Sequence, residues 1–157
     1  MTTFTATRAA STFPVNKPSA GGMGIAWGTI EVAVNPVAAD IYEMCRIPAG
    51  AVVVGGRFLS DDLDTNATET LDLDVGWLGN GTEALDADGL GNFGVFTTDT
   101  VAGVKPEAGY NFALGGTLIT AGPQSFSAET VIAVTTVATA ATFAAGTMSV
   151  VVYYYVP

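Results

Sequence analysis

Apolar positions along this chain recur with a period of two. The clearest case is residues 69–77, where Leu71, Leu73, Val75 and Trp77 fall on one face and Thr70, Asp72 and Asp74 on the other. Such alternation predicts a strand with one face on a core and the other in water. Residues 41–47 form an apolar run ended by Pro48-Ala49-Gly50, and residues 51–59 return as a β-branched run around Val52, Val53 and Val54. Proline fixes its own φ and glycine frees the next, so the pair of runs reads as a hairpin. Further strands are predicted over 24–34, 110–120, 127–137 and 147–156, the last (TMSVVVYYYV) with a high density of β-formers.

The segments between them read as connections. Residues 60–66 make a turn loaded with Asp61, Asp62 and Asp64. The stretch LGNGTEALDADGLGNFGVF after Trp77 is rich in Gly, Asn and Asp and predicts turns rather than regular structure. Residues 101–107 form a short link, Gly115-Gly116 marks a bulge or close packing point, and residues 138–146 have the small side chains of a single helical turn. Half-solvated sheets of this kind are antiparallel, so the fold class is all-β, a sandwich or a barrel.

Composition sharpens the picture. The 157 residues predict one domain with a sizeable core, and 49% hydrophobic with 10% aromatic residues excludes disorder. Charged residues make up only 13%, about half the usual share, which suits faces covered by other copies or by another protein. A net charge of −10 disfavours nucleic acid and anionic membrane surfaces as partners. The chain has no histidine and a single cysteine, Cys45. Ser-His-Asp and Cys-His catalysis, most zinc sites and intrachain disulfides are therefore excluded. The N-terminus lacks a secretory h-region, so Asn66-Ala67-Thr68 and Asn80-Gly81-Thr82 read as chance sequons.

Charge is also segregated. Residues 1–30 hold Arg8 and Lys17 and no acid, with Pro14, Pro18 and Gly21-Gly22 interrupting regular structure. Residues 1–23 are expected to form an extended arm on a sandwich domain of 24–157. Phe4 and Phe13 beside the two bases favour an arm that orders against a partner over a frayed terminus. From Asp61 to Asp88 there are nine acids and no base, and from Thr130 to Pro157 no charge at all. The uncharged tail is broken by threonines and reads as two buried strands rather than a membrane span, its outer face needing a cover.

Three kinds of candidate chemistry follow. Asp61, Asp62, Asp64, Asp86 and Asp88 cluster in turns as candidate ligands for a hard divalent cation such as calcium, although no EF-hand pattern is present and a solvated acidic face is the simpler reading. Asp72 and Asp74 point the same way about 7 Å apart, but an outward, wet face gives no reason for a raised pKa, which argues against a glycosidase pair. Arg57 most simply pairs with the acidic turn that follows it, and Arg46 with an acid across the hairpin or on a partner. Cys45 reads as a small buried hydrophobe; Trp27 and Trp77 read as core, with a sugar-stacking platform as their other role.

The segments IYEMCRIPAGAVVVGGRFLSDDLDTNATETLDLDVGW, AETVIAV and AAGTMSVVVYYYV together resemble small phage and prophage head proteins of the capsid decoration, or cement, type. The resemblance covers about residues 40–156 and leaves the arm outside it. It implies a jelly-roll-like β-sandwich, not an enzyme and without a cofactor, that binds the exterior of an assembled shell in the virion after synthesis in the host cytoplasm. It further implies the major capsid protein as partner and self-association as a homotrimer. The arm, through Phe4, Arg8, Phe13 and Lys17, is then the expected capsid contact. A tail or fibre protein that reads a glycan through Trp27 or Trp77 is the alternative.

Overall fold

Ten strands lie among the described residues, and their pairing divides them between two sheets. The computed structural model describes residues 1–19, 21–95 and 109–157. The strands are β1 (Thr3–Thr5), β2 (Met23–Val32), β3 (Ile41–Ile47), β4 (Val52–Ser60), β5 (Asp72–Trp77), β6 (Asp86–Val95), β7 (Tyr110–Ala113), β8 (Gln124–Ser125), β9 (Thr130–Ala138) and β10 (Gly146–Tyr155). A single helical turn, α1 (Thr117–Thr120), follows β7. One sheet has the order β1-β3-β9-β5-β6; the other runs β2-β10-β4-β7, with β8 added to β4. Every pairing is antiparallel except β1 on β3.

With β1 and β8 set aside, the eight remaining strands pair as nested hairpins. The first meets the last (β2 with β10), then β3 meets β9, β4 meets β7, and β5 meets β6. Rolled so that alternate pairs fall in opposite sheets, this is a jelly roll. The sandwich expected from alternation is present, as is the jelly-roll form that the resemblance implied.

The core lies between the sheets. From one side come Tyr42, Met44, Leu73, Val75, Trp77, Ile132 and Val134; from the other come Phe58, Met148, Val150, Val152 and Tyr154, all at most 5% exposed. Trp77 meets Phe126 edge-on, with ring centroids 5.1 Å apart. A stack of Phe58, Phe93 and Phe112 closes the β4–β7 side. Cys45 is buried, and burial pushes its thiol up to about 12.

Several expectations need correction. Residues 48–51 are not a hairpin loop. Strands β3 and β4 lie in opposite sheets, joined by a tight crossing in which Gly50 takes φ 81° and Ala51 N–H meets the Pro48 carbonyl. Both runs are apolar on most positions, so each takes a central place with a neighbour on either side. Residues 86–95, read as turns, form a full strand against β5. Its glycines make room for rings: a Cβ on Gly89 would lie 2.3 Å from Trp77 and one on Gly91 2.4 Å from Phe93. The strand predicted over 110–120 stops at Ala113 and gives way to α1. Residues 139–145 form no helical turn and instead bridge Phe143 to Asp64. The predicted link at 101–107 lies outside the described residues. No helix among the described residues is long and apolar enough to cross a membrane.

Candidate functional site

The N-terminal residues do not stand off the sandwich. Strand β1 adds to the edge of β3, with Ile41 N–H on the Thr2 carbonyl and Ala6 N–H on the Glu43 carbonyl. Asp40 accepts the Thr2 N–H at 2.7 Å and Thr5 Oγ1 donates to Glu43 at 3.0 Å. Ala6 and Ala9 are buried, small enough to let a short 3-10 turn (Thr7–Ala9) sit between β2 and β3. Further on, Tyr154 Oη donates to the Asn16 carbonyl and Gly21 N–H to that of Val156.

Three of the four proposed contact residues are thereby engaged within their own chain. Phe4 stacks on Tyr42 with centroids 4.8 Å apart and planes 12° off parallel. Arg8 places its guanidinium 3.4 Å from the centre of the Trp27 ring and 4.9 Å from that of Phe13. Lys17 is exposed. The expectation of an extended arm is corrected: apolar side chains amid an acid-free sequence found their cover on the open side of the sandwich.

The acidic turns separate into distinct roles. Asp64 is 2% exposed and its carboxylate accepts backbone N–H groups from Asn66, Thr70, Leu71, Ala141 and Thr142 at 2.8–3.3 Å. Burial opposes its ionisation, but the N–H groups outweigh burial and hold its pKa below the usual range. Both oxygens accept backbone N–H groups, so Asp64 acts as a clamp between two loops. Asp61 Oδ2 accepts the Thr147 N–H at 2.7 Å. Burial, and after it the neighbouring Asp88 carboxyl, raises the Asp86 pKa above the usual carboxylate range. Among the described residues, no group of three or more His, Cys, Asp or Glu side chains is disposed to hold a metal.

Asp72 and Asp74 also depart from expectation. Asp74 is only 6% exposed, and its Oδ1 meets no donor among the described residues. Burial first, then the charges of Asp72 and Asp88, push its pKa up to about 6. Alternation placed it on the outer face correctly; it could not show that this stretch of the outer face is covered. Neither depression described among these residues is lined by the raised carboxylate. A surface depression of about 390 Å³ lies on the other sheet and is lined by Leu59, Ser60, Asp61, Tyr110, Asn111, Thr147 and Ser149. Its Asp61 accepts the Thr147 N–H, and its lining among the described residues holds no lysine, arginine or cysteine.

The cations resolve simply. Arg46 pairs with Glu129 across the β3–β9 ladder, with Nε 2.7 Å from Oε1. Arg57 donates to Asn111 at 3.3 Å, and Asp61 and Asp64 take backbone N–H groups in its place. Trp77 is core, as expected, and its indole donates to the Ala84 carbonyl. Trp27 is 42% exposed but has Arg8 over its ring, so the stacking platform is occupied.

Sequence reading missed the Asp40 and Glu83 anchors. Glu83 accepts the Ser127 N–H and hydroxyl and the Asn80 amide, and these bonds lower it to about 2. Asn80, dismissed with its sequon, accepts the N–H groups of Thr82 and Glu83. The Asn80 Asx turn ahead of β6 was the available signal.

No family model matches the chain, and no curated protein matches it. Solved structures do. A chain in the capsid of Ralstonia phage GP4 aligns with a TM-score of 0.77 and 23% identity over 99% of this chain and 98% of its own length. A chain of the cyanophage Pam1 capsid asymmetric unit gives 0.63 and 27% over 94% and 96%. A chain of the acidic stable capsid of Helicobacter pylori bacteriophage KHP30 gives 0.56 and 12% over 86% and 88%. This chain therefore has, over nearly its whole length, a fold found in phage capsids, in keeping with the resemblance its sequence carries.

Proposed function

We propose that the chain is a non-enzymatic structural protein of a phage head, decorating the outer surface of the assembled shell and stabilising it. The observation that carries this reading is the end-to-end likeness to chains of phage capsids, at 27% identity in one case. Fold alone does not imply function. The chemistry of the chain agrees with the reading. It has no histidine, Asp64 and Glu83 are tied into loops, and its raised carboxylate stands apart from the surface depression.

A protein that binds the assembled shell and not its free subunits stabilises assembly by mass action. Repetition over a closed shell multiplies a modest contact at each site. The partner is the major capsid protein, and self-association as a homotrimer adds further contacts. Lys17 is exposed and is the one of the four expected contact residues not engaged by its own chain among the described residues, so it is the residue we assign to the shell contact.

The test is the ratio of this chain to the major shell protein in purified particles, by quantitative mass spectrometry. A ratio near one copy per shell subunit is expected. A few copies per particle would move the chain to the tail and revive the glycan-binding alternative. Absence from particles would overturn the proposal. A Lys17→Glu variant that rebinds stripped shells at full strength would remove Lys17 from the contact.

A further inference from the structure

The outer face of β5 gathers carboxyls that meet no cation among the described residues. Asp72, Asp74 and Gly76 alternate onto that face. The start of β6 folds down over Gly76, where a Cβ would lie 2.0 Å from the Asp86 carbonyl oxygen. Asp86 and Asp88 are thereby brought to the same place, and the charges of Asp72 and Asp88 both act on Asp74. Asp74 is the floor of the group, 6% exposed, and its Oδ1 meets no donor among the described residues. Asp72 is partly buried with its Oδ1 equally unmet, and Asp88 is exposed.

The described bases are placed elsewhere. Arg8 lies over Trp27, Arg46 pairs with Glu129, Arg57 donates to Asn111 on the other sheet, and Lys17 is exposed on the N-terminal segment. On the far flank of β5, β9 sets Thr135 beside Asp74 and contributes no titratable side chain. The charged groups around Asp74 are therefore Asp72 on its own strand and Asp86 and Asp88 on β6, all of one sign.

We propose that an arginine side chain of the shell protein docks on the rim formed by Asp72 and Asp88, above Asp74. The proposal rests on the decoration reading and gives it a contact. A buried carboxyl without a donor is an unfavourable arrangement that a counter-charge within about 4–6 Å relieves. Arginine fits the rim because its planar guanidinium offers five N–H donors to several carboxyl oxygens and sheds water more readily than an ammonium. A metal ion fits less well, since no three acids among the described residues are disposed to hold one. The nine acids from Asp61 to Asp88, with no base between them, also steer a basic group toward this side of the chain.

The measurement is binding of the purified full-length protein to stripped shells between pH 5 and pH 8, for wild type, Asp74→Asn and Asp88→Asn. Asp74, with its pKa pushed up to about 6, sets the window. Wild-type affinity is expected to fall about tenfold from pH 7.5 to pH 5, because the proton competes with the arginine for the carboxylate. Each variant is expected to weaken binding about tenfold at pH 7.5, and Asp74→Asn to flatten the pH dependence. Native circular dichroism in both variants separates that loss from unfolding. Binding that neither variant weakens overturns the proposal and leaves the decoration reading standing. A wild-type chain that binds shells at no pH overturns both. Carboxyl carbon-13 NMR of the free chain tests the other occupants, among them Lys105, which lies outside the described residues. An Asp74 pKa that calcium lowers, or that Lys105→Ala raises, puts a metal ion or the chain's own base on these acids and also overturns the proposal.

Discussion

The guanidinium of Arg8 lies 3.4 Å from the centre of the Trp27 ring, joining the N-terminal segment to the outer face of β2. A cation held over an indole face at partly exposed positions contributes about 1 kcal/mol. Arg8→Ala is therefore expected to lower Tm by about 2–4 °C and to raise quenching of Trp27 by acrylamide. Arg8→Lys should restore part of both. Quenching unchanged in Arg8→Ala would mean that the arginine does not sit on the ring in solution.

Asp64 draws five backbone N–H groups from two loops far apart in sequence. Asp64→Asn keeps the shape but turns an amide N–H₂ toward donors. A loss of about 3 kcal/mol is expected, measured by urea denaturation. Its lowered pKa gives a sign: the stabilisation is fully present above the unfolded pKa, near 4, and is lost as pH falls through the folded value.

Asp74 works in the opposite direction. Its folded pKa, raised to about 6, favours the protonated form. Its contribution is present below the unfolded value, near 4, and is lost as pH rises through about 6. Asp74→Asn is expected to stabilise the protein by about 1–2 kcal/mol at pH 8 and to change little at pH 4. Melting curves across that range check it; equal Tm differences at both ends would rule the buried carboxylate out as the cause.

Calcium should matter little to the free chain, because Asp64 is committed to N–H donors and Asp61 to Thr147. Melting with calcium and with a chelator is expected to give the same Tm. A clear rise with calcium would mean that Asp62, Asp86 or Asp88 builds a site with groups other than Asp64.

Much of this was legible in the residues. Leu71, Leu73, Val75 and Trp77 alternate and are all buried, and Ile41 to Ile47 forms the strand the pattern predicts. Strand β6 was hidden because its glycines, which locally favour turns, are needed under the rings of Trp77 and Phe93. Nothing local marks residues that serve a ring arriving from elsewhere in sequence.

The sequence by itself determined β2, β3, β4, β5, β9 and β10 and the absence of histidine-based catalysis, because side-chain period and residue identity are local properties. Tertiary structure alone decided which sheet each strand joins, and so turned the 48–51 hairpin into a crossing between sheets. It also decided the fate of like residues. Asp64 found five donors and Asp74 none at Oδ1; Phe4, Arg8 and Phe13 found cover within their own chain, and Met23 and Ile25 did not. Burial and hydrogen bonding depend on what the rest of the chain brings to a position, and that is set by long-range packing.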